Sequence, residues 1–160
     1  MASTTFSGPV TSTAGFVSGS DSLVSVTANA TLTSAANAGR TMNFNVASGA
    51  TLTLPAATGT GNIYRFFVQT TVTSNSYKIQ VANASDTMSG VAIVANDADN
   101  SASIFETAAT TDTITLDGTT TGGLLGATCE IQDVATNKFS VVLRGAATGT
   151  EATPFSAAVS

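Results

Sequence analysis

From residue 41 onward the chain alternates apolar and polar side chains with a period of two. Met42, Phe44 and Val46 alternate with Thr41, Asn43 and Asn45, and Leu52 and Leu54 alternate with Thr51 and Thr53 before Pro55. This is the pattern of half-buried strands, and the proline ends the second because it has no N–H to give to a ladder. Residues 63–72 form the strongest segment. Tyr64, Phe66 and Val68 share one face, Arg65, Phe67 and Gln69 the other, and apolar residues on both faces around Phe66-Phe67-Val68 predict a central strand. Ser74-Asn75-Ser76 reads as a hairpin-like turn into Tyr77, Ile79 and Val81, so strands 63–72 and 77–81 are expected to pair. Upstream, Leu23 to Thr33 is rich in β-branched residues and reads as one strand, followed by a turn at Asn37-Ala38-Gly39.

Five more short segments follow, at 87–95, 103–107, 112–116, 125–133 and 139–144, each bounded by Gly, Asn, Asp or Ser; the last two flank a hairpin loop at 134–138. Strands at this spacing, with no helical stretch between them, predict an all-β fold: an antiparallel sandwich or barrel of short strands, with extended N- and C-terminal segments. Three parts are expected: an N-terminal arm (1–20), a β-domain (21–145) and a C-terminal segment (146–160). The terminal parts are polar and small apart from isolated apolar residues. Phe6, Pro9, Val10 and Phe16 in the arm, and Pro154 and Phe155 near the other end, are therefore the candidate anchors for a neighbouring subunit.

Composition moves the expectation from a free domain toward an assembly. Only 9% of the 160 residues are charged, the net charge is −5 and mean hydropathy is +0.28. Ordinary soluble domains carry about 25% charge, and a surface this poor in charge suits a subunit held among others. The cations Arg40, Arg65, Lys78, Lys138 and Arg144 are scattered, which argues against binding nucleic acid through its phosphates or an anionic membrane surface. The first residues show neither the basic nor the apolar region of a secretory signal, and no apolar run approaches a membrane span. Synthesis in a reducing cytoplasm is the expectation.

The sequence offers little for catalysis. Without histidine there is no His-based triad and no His metal ligand. Cys129 lies in an alternating segment with Ile131 and reads as a buried apolar residue. Asn96-Asp97-Ala98-Asp99-Asn100 has the acids of a calcium loop, but Ala102 and Ala108 stand where an EF-hand needs Gly and Glu. Gly59-Thr60-Gly61 lacks the rest of a nucleotide-binding fingerprint and reads as a turn. No catalytic residue, metal or cofactor is assigned, and the chain is expected not to be an enzyme.

Several segments resemble the small head decoration (cement) proteins of tailed bacteriophages. They are Thr5-Phe6-Ser7-Gly8-Pro9-Val10 with Gly15-Phe16, Ala50-Thr51-Leu52-Thr53-Leu54-Pro55, Gly61-Asn62-Ile63-Tyr64-Arg65-Phe66, Lys78-Ile79-Gln80-Val81-Ala82-Asn83, and Thr148 to Phe155. The resemblance implies a β-rich subunit, often a homotrimer, on the outer capsid surface of a virion, where it bridges and stabilises major capsid protein subunits. The alternative is a tail-fibre, spike or surface recognition module that binds host glycans. Loops made mostly of Thr, Ser, Ala and Gly favour the first.

Overall fold

A computed structural model describes residues 23–159. Seven strands form a large sheet in the spatial order β1 (Leu23–Val26), β3 (Thr41–Phe44), β5 (Ile63–Val68), β10 (Thr128–Ala135), β11 (Lys138–Ala146), β7 (Thr87–Ala95) and β8 (Ala102–Glu106). Five form a small sheet in the order β12 (Phe155–Ser156), β9 (Thr113–Leu116), β6 (Tyr77–Gln80), β4 (Ala50–Thr53) and β2 (Ala30–Thr31). The expected all-β sandwich is met. Strand direction differs from the expectation, because the sheets are mixed: five pairings are parallel and five antiparallel.

The parallel pairings have a simple origin. From β1 to β6 the chain alternates between the sheets, odd strands joining the large one and even strands the small one. Each pass lays a strand beside the one placed two elements earlier, which makes the pair parallel. Ala30, Leu52 and Ile79 thus stack in register on the small sheet, as Val24, Met42 and Phe66 do on the large one. Strands β7 to β12 then close the structure, with hairpins β7–β8 and β10–β11 in the large sheet and β9 antiparallel to β6 in the small one.

This path corrects two sequence expectations. The stretch from Leu23 to Thr33 is two strands in opposite sheets, followed by a one-turn helix, α1 (Ser34–Asn37), whose first turn is capped by the Thr33 side chain. Strands β5 and β6 do not pair; the turn at Ser74–Ser76 carries the chain from one sheet to the other. Tyr77 fixes that crossing. Its hydroxyl lies 2.7 and 2.8 Å from the carbonyls of Val46 and Thr70, which share its one proton, and its buried ring stacks on Phe44 of the opposite sheet with centroids 4.3 Å apart. The core lies between the sheets, with Met42, Phe44, Leu52, Tyr64, Ile79, Met88, Ile114, Ile131 and Phe139 nearly inaccessible. The expected hairpin at 134–138 is present between β10 and β11.

The region beyond residue 145 belongs to the same body. Strand β11 runs through Ala146, Ala147 is buried, and β12 forms an edge of the small sheet.

Candidate functional site

The acidic residues are the natural place to look for chemistry, and three of them are buried: Asp86, Asp112 and Asp133. Each holds a loop. Asp133, near the end of β10, accepts hydrogen bonds from the backbone N–H of Thr58, Gly59 and Thr60 at 2.7–3.2 Å and from the Thr60 hydroxyl at 2.6 Å. The preceding N–H, that of Ala57, donates to Asp86 Oδ2 at 3.1 Å. Four consecutive amides between β4 and β5 therefore converge on two carboxylates. Gly59 permits this with φ +78°, a left-handed conformation that few side chains adopt. Burial by itself would raise the Asp133 pKa, but the donors from Thr60, Gly59 and Thr58 outweigh it and hold the carboxyl below its usual range.

Asp112 does the same for the C-terminal region. It accepts from the Thr113 hydroxyl and the Ala158 N–H at 2.8 Å, and from the Val159 N–H at 3.2 Å. Asp117 closes the 117–123 loop through the N–H groups of Thr119 and Thr121 and the Thr120 hydroxyl. In the acidic turn after β7, Asp99 accepts from the Ser101 N–H, and Asp97 receives the Gly149 N–H at 3.2 Å. Among the described residues, no three His, Cys, Asp or Glu side chains come together as a metal ligand set. Cys129 is buried; desolvation, with a lesser contribution from the charge of Glu130, pushes its thiol pKa far up and keeps the thiol protonated. The Asp133 and Asp117 carboxylates, held below their usual range by loop donors, are poor proton donors and are equipped to pin loops.

The feature best suited to act on another molecule is the outer face of the large sheet. Five large apolar residues are exposed among those described: Leu23, Ile93, Ile104, Leu125 and Val134. Ile93 of β7 and Ile104 of the edge strand β8 are directly opposite one another, at 39% and 66% exposed. Val91 and Val142, also half-buried, stand next to each other one row away on the same face. Toward β1 the face becomes a groove of about 290 Å³, lined by Leu23, Thr41, Arg65, Phe67, Glu130 and Arg144. It contains the Arg65–Glu130 ion pair, at 3.0 Å. The outward face of the small sheet is different in kind, presenting Thr31, Thr51, Thr53, Lys78, Gln80 and Thr115.

The anchors named from sequence fall in two places. Phe6, Pro9, Val10 and Phe16 lie outside the described residues. Pro154 and Phe155 are buried: Phe155 is 8% exposed opposite Ile114, and the Pro154 carbonyl accepts the Thr115 N–H at 2.8 Å. In this chain both are engaged by its own small sheet. The apolar strip of β7 and β8 was not identified from sequence, although Val91-Ala92-Ile93-Val94 carries its signal, apolar residues of both parities. The chain matches no protein-family model, no curated protein and no solved structure.

Proposed function

We propose that this protein is a non-enzymatic virion subunit that decorates the outer surface of a tailed-phage capsid as a homotrimer and stabilises it by bridging major capsid protein subunits. The observation that carries the reading is the uncovered apolar strip of Val91, Ile93, Ile104 and Val142, set on a body whose buried carboxylates are all engaged in holding its own loops. An apolar strip at a sheet edge is a contact surface, and a protein that leaves it open needs a partner to cover it. The low charge and the segment-by-segment resemblance to capsid cement proteins supply the choice of partner. A subunit that binds only the assembled lattice stabilises that lattice by mass action, and repetition around a closed ring multiplies modest contacts. No cofactor and no nucleic acid enters this reading.

Electron microscopy of purified virions at subunit resolution tests it. The expected result is density for this sandwich on the outer shell, seated across neighbouring capsid subunits. Density in tail fibres or spikes, or absence from particles, would overturn it.

A further inference from the structure

Four strands end the two sheets. Two of them, β2 and β12, have only two residues each, and β1 begins where the described residues begin. The fourth, β8 (Ala102–Glu106), has five residues, with no proline, lysine or bulge to deter another strand.

The free side of β8 follows from its ladder with β7. The Thr107 N–H donates to the Gly90 carbonyl, and the Asn96 N–H to the Ser101 carbonyl, both at 3.1 Å. Bonded pairs alternate along an antiparallel ladder. Ser103 and Phe105 therefore bond to β7, and the N–H and C=O groups of Ala102, Ile104 and Glu106 point away from it. All three residues are exposed, and among the described residues no backbone group outside the sheet partners them.

We infer that β8 pairs antiparallel with β8 of a second copy, about a two-fold axis at Ile104. This register uses the whole edge. Ile104 faces the partner's Ile104, and each Ala102 faces a Glu106 across the axis, every such pair exchanging two N–H···O bonds. The two Glu106 carboxylates then lie about 14 Å apart along the strands, at ~3.4 Å per residue. A shift by one pair gives up one of the three pairs and sets Ile104 opposite Ala102 or Glu106. Parallel pairing would bring the two Glu106 side chains together, and like charges placed opposite repel. The axis stands perpendicular to the sheet, so both outer faces look the same way. Ile93 and Ile104 continue into the partner's Ile104 as one apolar row.

Five residues a side is far below the about 20–30 of a stable interface, so the pairing is weak in solution. A two-fold contact joins only two copies, so the trimer of the capsid reading would use another surface. The inference goes beyond that reading and does not rest on it.

Disulfide trapping detects such weak pairing. Cα atoms of a bonded pair lie about 5.5 Å apart, within reach of a disulfide. Cys129 is buried, so an introduced thiol is the accessible one. With oxidised glutathione as oxidant, Ile104→Cys should form covalent dimers several-fold faster than Ala102→Cys or Glu106→Cys alone. Mixing the last two variants should restore the dimer. Adding Ile104→Pro to both should abolish it again. The Ile104 N–H points away from β7, so this change removes no hydrogen bond within the chain, and circular dichroism would show the sheets intact. No dimer from Ile104→Cys would overturn the inference. So would equal dimer from all three single variants, or dimer that survives Ile104→Pro. None of these outcomes bears on whether the protein sits on a capsid, so the two readings fail separately.

Discussion

The junctions at the ends of the strands and the outer face of the large sheet invert the usual placement of side chains. At the junctions, carboxylates are buried: Asp86, Asp112 and Asp133 are at most 5% exposed. On the outer face, Ile93 and Ile104 are open to water. Burying a carboxylate is costly unless hydrogen bonds replace its hydration; at Asp112 and Asp133 backbone N–H and threonine hydroxyls do so, while Asp86 takes the Ala57 N–H and the Asn83 side-chain amide on Oδ2 alone. Leaving isoleucine exposed forgoes part of about 1.5–3 kcal/mol of burial per side chain. The contrast separates two tasks. Charge holds loops rigid inside the body, and apolar surface is kept available outside it. A low charge count therefore conveys less about this protein than the positions of the few charges it has.

The largest effect is expected where the contrast is sharpest. Asp133→Ala leaves three backbone amides and the Thr60 hydroxyl without their acceptor in a site only 3% exposed. Each orphaned group costs about 1–3 kcal/mol, less where water can enter, so a loss of about 4 kcal/mol is expected by urea denaturation. Asp133→Asn retains one carbonyl acceptor and the same shape, and about half that loss is expected. If the alanine variant were as stable as the parent, the carboxylate would not be holding the 57–60 loop.

How far these features are legible in sequence depends on their range. Alternation alone located the strands from Met42 to Val81 and most of those after Thr87, because an inner-face position is a local property. The adjacent apolar pair Phe66-Phe67 marked β5 as central, and it lies between β3 and β10. Sheet membership is different. An inward residue of either sheet gives the same period of two, so nothing local separates β5 from β6. The turn residues Asn75 and Ser76, both at positive φ, mimic a hairpin where the chain in fact crosses the core. Stacked positions such as Leu23, Thr41 and Arg65 recur at uneven intervals, which hid the parallel stacking of successive passes. The junctions were less legible still. Thr58-Gly59-Thr60 was identifiable as a loop, but its acceptor is 73 residues away from Thr60. Phe155 in a polar stretch fits an external anchor or an internal one equally well, and the structure places it inside.

A smaller effect is expected from acid. The native carboxyl of Asp133 is held below its usual range, and so is that of Asp117, where loop hydrogen bonds from Thr121, Thr119 and Thr120 outweigh the opposing effect of burial. A carboxylate with a depressed native pKa binds protons more readily when unfolded. Its stabilisation is therefore complete above the unfolded value, about 3.9, and is lost as pH falls from there through the native value. Unfolding free energies measured at several pH values should stay level near neutrality and decline below about pH 4. In Asp133→Asn the decline should be shallower. An equal decline in parent and variant would remove Asp133 from the account.

The smallest effect on the fold should come from the outer face, and that smallness is what tests the division of tasks. Ile104→Thr and Ile93→Thr keep β-branched side chains on strands β8 and β7 and remove apolar surface that the isolated chain leaves in water. Stability should change by no more than about 0.5 kcal/mol, as for ordinary surface substitutions. Occupancy on purified capsids, measured by competition with the parent protein, should nonetheless fall. Each lost contact is worth about 1 kcal/mol by area, and the proposed trimer would multiply it. Unchanged occupancy with unchanged stability would mean that this strip is not the attaching surface. A stability loss as large as that of Asp133→Ala would mean that these isoleucines support the fold, and the contrast between junctions and face would fail.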